Sequence, residues 1–260
     1  MLEDKIATAV AEVGKDVAQD LIRPTSKSVG ENLGLFVDGV MGWLGCWGQK
    51  QAIKREVYLV DYKKKMYEKI DTIPNEKLQE PKMRIVGPAI EASKFYIEEE
   101  AFREMFAELI ASTCNIDYAD KVHPAFPEII KQLSPLDIKF LELFKGNRTF
   151  PCCEIYAQHV DKSIIPCLHV LLDIKNGSKQ FDYQEELLLT ETIENLGRLG
   201  LMIKNGNVLE LNYDYDQFKT HWLYDYMLKT SSTDSEIKMR KYRIELTQLG
   251  IDFVNCCFGK

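Results

Sequence analysis

The sequence predicts a mainly α-helical fold with a small β-hairpin, a helical amino-terminal domain followed by a winged-helix-like carboxy-terminal domain. Three observations predict it. From Leu78 to Phe144, breakers alternate with apolar residues at helical spacing. At Ser134-Pro135-Leu136-Asp137, a serine N-cap, a proline at the first helical position and an aspartate three residues on mark a new helix and a boundary. From Leu201 to Asn212, LMIKN-GN-VLELN reads as two short apolar-rich strands around a Gly206-Asn207 turn. Residues 1–48 are thereby set apart as an amphipathic helix with a glycine-rich segment, 49–133 as a helical core and 134–260 as the winged-helix-like domain.

In chain order, a first helix from Leu2 to Ile22 keeps Ile6, Ala9, Val10, Val13, Val17 and Leu21 at helical spacing, and Pro24 ends it. VGENLGLFVDGVMGWLGCWGQK follows, from Val29 to Lys50. Each glycine costs an isolated helix about 1 kcal/mol relative to alanine, whereas small residues let helices approach closely in a bilayer. A crossing needs about 20 mainly apolar residues, and Asp38 would lie near the centre of this one, so a simple span is not expected. Trp43 and Trp47 suit a membrane interface, and Lys50, Lys54, Arg55, Lys63, Lys64 and Lys65 supply a basic flank for anionic lipid. Two readings stand. One is a conditional membrane or self-association segment using Gly30, Gly34, Leu35, Phe36, Trp43 and Trp47; the other is a glycine-kinked helix buried in the fold.

Gln51 to Ile70 reads as a charged helix whose inner face is marked by Ile53, Val57, Val60, Lys64 and Tyr67. Thr72 to Pro81 is a polar connection holding a single turn, NEKLQE. Pro81, Gly87 and Pro88 bar a helix before Ala89. The central helix then starts, with Ile90, Phe95, Ile97, Phe102, Met105, Phe106, Leu109 and Ile110 gathered towards one face. Its acidic cluster includes Glu98 and Glu99, and Glu100, Glu104 and Glu108 fall one turn apart. A dinuclear metal site would add Glu-x-x-His, which this helix lacks, so the stripe predicts a solvated or salt-bridged face with Arg103 and Lys94 nearby. His123, ahead of Pro124, predicts a structural role at the start of a helix.

Beyond Ser134, short helices are expected over Glu154–His159 and over Ile165–Ile174 or part of it, and a longer one over Tyr183–Leu199, closed by Gly200. KYRIEL, from Lys241 to Leu246, adds a strand, and Thr247 caps a last helix, TQLGIDFVNCC. Winged helices often read DNA with the helix before the hairpin. Here that helix carries Glu185, Glu186, Glu191 and Glu194 against Arg198, which phosphate repels, so a partner protein is expected ahead of nucleic acid. Lys238, Arg240, Lys241 and Arg243 form the basic cluster that would bind either.

Cys152, Cys153, His159, Cys167 and His169 lie close in sequence without a CxxC pairing, so buried thiols are expected rather than zinc. There is no Gly-rich phosphate loop after a strand, no GxSxG and no HExxH, and the expectation is of no catalytic residue, metal or cofactor. A scattered enzymatic site, such as a nuclease's, would draw on Glu104, Glu108 and His123. The net charge of -7 divides into -4 before Ser134 and -3 from there on, so neither half is the basic body that phosphate backbones call for. Seven cysteines, an odd set, and a start lacking an uninterrupted apolar run predict a cytoplasmic protein, peripheral to the inner membrane where its glycine-rich segment engages lipid.

The run EPKMRIVGPAIEASKFYIEEEAFREMFAELIAS, followed by VHPAFPEIIKQLSPLD, resembles the Abi-alpha family, named for abortive infection, a bacterial defence against phage. The resemblance covers roughly Lys50 to Leu143, so it takes in the helical core. It implies a phage-defence role and carries no catalytic residue onto this chain. The expectation is a non-enzymatic protein acting through a protein partner, self-association or conditional membrane attachment. A winged-helix regulator and a nuclease-like enzyme are the alternatives.

Overall fold

A computed structural model describes residues 34–35, 37–39, 41–42, 52–172 and 181–259. The protein is mainly helical, with one four-stranded antiparallel sheet. Its contacts divide it into two units: one runs to Gln132 and takes in the residues from Asn255 on, the other is Leu133–Val254. The helix expected over Leu2–Ile22 lies outside the described residues.

The first unit contains α1 (Ala52–Asp71), α2 (Met83–Ser93), α3 (Glu100–Thr113) and α4 (Phe126–Ile130), with a single 3-10 turn at Asn75–Lys77 where the sequence predicts one turn. The inner face of α1 differs from the expected one. Tyr62, Met66 and Ile70, one turn apart, are buried, while Val57 is 42% exposed and Lys64 faces solvent. The helix is rotated so that its lysines at 65 and 69 meet the acids of α3.

Helix α2 begins at Met83, not Ala89, and runs through Gly87 and Pro88. A proline ring clashes with the Cβ of the residue before it, and Gly87 has none, which removes part of the penalty. Burial of Ile85, Val86, Ala89 and Ile90 supplies the driving force. The expected single central helix is also broken. The chain turns over residues 94–99 before α3 begins, and Phe95 is 65% exposed. Ile97, Phe102, Met105, Phe106, Leu109 and Ile110 are buried, as their spacing predicts. Tyr96 stacks on Phe102 with ring centres 4.9 Å apart and donates to Lys131 O at 2.9 Å, fixing the turn.

The second unit opens with α5 (Pro135–Glu142) and the predicted N-terminus: Ser134 Oγ accepts from Asp137 N, and Asp137 Oδ2 accepts from Ser134 N. Strands β1 (Thr149–His159) and β2 (Ile164–Leu172) follow, then α6 (Tyr183–Arg198), β3 (Met202–Asn205), α7 (Trp222–Thr230), β4 (Ser235–Leu246) and α8 (Gln248–Cys257), whose last three residues count with the first unit. Glu154–His159 and Ile165–Leu172 are therefore strand, not helix, and the end of the second expected helix, at 173–174, lies outside the described residues. From Glu154 to Gln158 burial alternates residue by residue, the period of a strand. Pro166 is tolerated because β2 lies at an edge of the sheet, whose order is β2-β1-β4-β3.

The hairpin expected at 201–212 does not form. Asn205 Oδ1 accepts from the amides of Asn207 and Val208, making a turn at Gly206, but the chain then leaves the sheet. β3 pairs instead with Arg243–Leu246 of β4, which is twice as long as the expected KYRIEL strand. The departing segment forms a 3-10 helix, Tyr215–Thr220, and α7. Tyr215, Phe218 and Leu223 pack there with Cys153, Ile155 and Leu171 from one face of the sheet. The outer edge of β2 is bonded by α6, where Thr190 Oγ1 accepts from Val170 N at 2.8 Å.

α8 starts as predicted: Thr247 Oγ1 accepts from Gly250 N and donates to Gly200 O, and Gly200 closes α6 at φ +75°. A Cβ on Gly250 would lie 1.9 Å from Leu201 O, whereas one on Gly197 would sit 3.8 Å from Met202 O. Gly250→Ala is therefore expected to destabilise by more than about 2 kcal/mol. Gly197→Ala is expected to be neutral or stabilising by up to about 1 kcal/mol. Urea unfolding of the two variants beside the parent checks both.

Candidate functional site

The glycine-rich segment is described at seven positions, Gly34, Leu35, Val37, Asp38, Gly39, Met41 and Gly42, all helical. Gly30, Phe36, Trp43 and Trp47 lie outside the described residues. One face is held to the fold: Val37 is fully buried, Tyr67 of α1 donates to Gly34 O at 3.2 Å and to Asp38 Oδ1 at 3.4 Å, and Lys63 Nζ lies 2.5 Å from Asp38 Oδ1. Burial, and then the charge of Asp38, push the Tyr67 phenol up to about 12, so it keeps its proton and stays a donor. The other face is open. Leu35 is 70% exposed, and a Cβ on Gly39 or Gly42 would meet nothing within 4 Å among the described residues.

The glutamate stripe of α3 is salt-bridged, but not to the residues the sequence suggested. Lys65 pairs with Glu104 and with Glu100, and Lys69 bridges Glu104 at 3.0 Å and Glu108 at 2.8 Å. Arg103 turns into the unit, donating from Nε to Asp61 at 2.8 Å and from Nη1 to Ile97 O at 2.6 Å, under the Tyr58 ring. Lys94 pairs with Glu91. Burial alone would raise the Glu104 carboxyl, but its bonds to Lys65 and Lys69 outweigh it and hold the group below its ordinary value. Burial likewise pushes Lys65 and Lys69 down, and their carboxylate partners bring both above the ordinary value. His123 is exposed, and its Nδ1 accepts from Ala125 N at 3.1 Å. The structure gives it no bond to Glu104 or Glu108 among the described residues.

The four basic residues of β4 divide between the two faces of the sheet. Lys238 and Arg240 share one side: Lys238 donates to Gln158 and pairs with Glu236, and Arg240 lies 3.7 Å from Glu154 and over the Tyr156 ring. Lys241 and Arg243 share the other, Lys241 at 3.8 Å from Asp216 and Arg243 at 2.5 Å from Glu245. Glu154 is a partner that sequence reasoning missed. It accepts from Lys204 at 2.5 Å and from Tyr242 Oη at 3.0 Å, and no spacing along the chain links residues 154, 204 and 242.

Cys114, Cys152, Cys153, Cys256 and Cys257 are buried and unbridged. Burial pushes Cys114 up to about 11 and Cys152 to about 12, so these thiols stay protonated and unreactive. His159, at the end of β1, is bonded to Ser235 at 2.7 Å. Among the described residues, no group of three or more His, Cys, Asp or Glu is placed to hold a metal ion.

These features define a helix-rich protein in two units, with the acid stripe of α3 engaged in ion pairs and the glycine-rich segment held by a few polar contacts. The sequence model of the family described as abortive infection alpha matches residues 54–257, and the chain belongs to that family. No curated protein matches the chain, and no solved structure does.

The ion pairs between α1 and α3 set a pH dependence. The depressed Glu104 contributes stability above its ordinary value of about 4.5, lost as pH falls through the lower folded value. The raised lysines contribute below their ordinary 10.5, lost as pH rises through the higher folded values. Glu104→Gln is expected to flatten the acid limb of the urea midpoint, measured from about pH 6 down to pH 3, relative to the parent.

Proposed function

We propose that this protein is an abortive-infection phage-defence protein that acts by binding rather than by catalysis. Its effector is the glycine-rich segment, held on α1 until infection releases it to anionic lipid. The observation that carries this reading is the attachment itself, in which Asp38 and Gly34 rest on Lys63 and Tyr67 while Leu35 faces outwards. The glycines at 39 and 42 weaken the helix by about 1 kcal/mol each with no packing contact in return among the described residues, which suits a segment whose close contacts are made elsewhere. No helix among the described residues is long and apolar enough to cross a membrane. The proposal is accordingly interfacial attachment, with Phe36, Trp43 and Trp47 entering the headgroup region and Lys50, Lys54 and Arg55 beside them. The protein would work in the cytoplasm, at the inner membrane.

A second reading, a winged-helix regulator, is favoured by one observation: α6 leads directly into β3, and β1, β4 and β3 are neighbours in that order. Glu186, Glu191 and Glu194 on α6 then favour a partner protein over DNA.

Co-flotation with phosphatidylglycerol vesicles tests the first reading. Lys63→Glu with Tyr67→Phe, which removes both contacts to Asp38, is expected to raise the bound fraction about tenfold, equivalent to a bias of about 1.4 kcal/mol. Adding Trp43→Ser and Trp47→Ser is expected to abolish binding. Equal binding by parent and released variant, or binding by neither, contradicts the proposal.

A further inference from the structure

The geometry points to the free edge of β4, over Ser235–Tyr242, as a docking site for an extended segment of a partner protein that alternates acidic with apolar residues and adds to the sheet as a strand. β4 has twelve residues, and all the residues from Ser235 to Glu245 pair with β1. On its other side only Arg243–Leu246 are paired, with the four residues of β3. Backbone amides and carbonyls of an antiparallel strand point alternately to its two sides, so the stretch from Ser235 to Tyr242 presents every second set outwards with no strand against it among the described residues. Tyr215 Oη donates to Tyr242 O, next to Arg243, where the pairing with β3 begins. The opposite edge of the sheet is treated differently, since α6 bonds Val170 there through Thr190. An exposed strand edge is a template for an incoming strand.

The side chains along this edge specify the occupant. Lys238 and Arg240 stand on one face; Ile237, Met239 and Lys241 stand on the other, where Ile237 and Met239 are partly buried against the Tyr215 cluster. Arg240 lies 3.7 Å from Glu154, beyond hydrogen-bond distance, and its five donors are not exhausted by the neighbouring Tyr242, so it keeps donors for a new partner. A strand laid alongside sends alternate side chains to the two faces. Acids on the first face would meet Lys238 and Arg240, while apolar residues on the second would extend Ile237 and Met239. A second copy of this chain fits less well: pairing about Met239 would set Lys238 against Arg240, and like charges directly opposite destabilise a ladder.

The test uses the full chain and a fluorescein-labelled peptide of about ten residues alternating glutamate with valine. Saturable binding in the micromolar range is expected, falling at least about tenfold in a Lys238→Glu, Arg240→Glu variant. That variant is expected to bind the lysine–valine counterpart instead, which also shows that it has folded. N-methylation of alternate peptide amides is expected to abolish binding, since the ladder loses its donors. No binding of the acidic peptide by the parent, equal binding by the charge-reversed variant, or equal binding of the methylated peptide overturns the proposal. Sedimentation showing a dimer that the same variant breaks, without peptide binding, assigns the edge to a second copy and overturns it as well. The site is independent of the membrane reading, and Lys63→Glu with Tyr67→Phe is expected to leave peptide binding unchanged.

Discussion

The rotation of α1 against α3 is the constraint on which the first unit depends. Lys65 and Lys69 face Glu100, Glu104 and Glu108, and Arg103 reaches back to Asp61. The lysine–glutamate pairs are partly open to solvent, and pairs screened in this way contribute about 1 kcal/mol each. Arg103 is different because it is buried, and a buried cation stripped of its partner costs about 3 kcal/mol or more. The same rotation buries Tyr62, Met66 and Ile70 and brings Lys63 and Tyr67 round to the side where Gly34 and Asp38 rest. The attachment of the glycine-rich segment thus follows from ion pairs made on another face of the same helix.

The second unit depends on a strand inequality. β1 and β4 are long and β3 is short, so among the described residues no strand pairs with β4 beyond Arg243 on the β3 side. The segment after β3 covers a face rather than the edge, placing Tyr215, Phe218 and Leu223 over Cys153 and Ile155. A sheet built this way keeps an apolar core on that face and, among the described residues, leaves one side of Ser235–Tyr242 without a strand partner.

Much of this was legible in the sequence where a local signal and its structural outcome coincide. Ser134 and Asp137 form the capping box they predict, Tyr183 to Arg198 is a helix closed by Gly200, and Thr247 caps α8. The core face of α3 also follows its spacing, from Phe102 to Ile110. What was not legible depends on neighbours distant in the chain. Glu154–His159 is a strand because β2 and β4 flank it, and VLELN is not one because β4 already supplies the partner for Met202–Asn205. Gly87 and Pro88 look like a barrier, yet burial of Ile85 and Ile90 carries α2 through them. At the candidate site, the acid stripe was readable as salt-bridged, but its partners lie on α1, some forty residues away. The basic residues of β4 look like one cluster in sequence and fall on two faces because a strand alternates.

The central claim is that infection frees the glycine-rich segment and that the freed segment ends growth of the infected cell. Phage challenge of a bacterial host carrying the gene, with and without Val29 to Gly48, measures this directly when run at low and high ratios of phage to cells. The account predicts protection at low ratio and collapse of the culture at high ratio, both lost on deletion in a protein that retains its fold by circular dichroism. Undiminished protection by the deleted protein would contradict it.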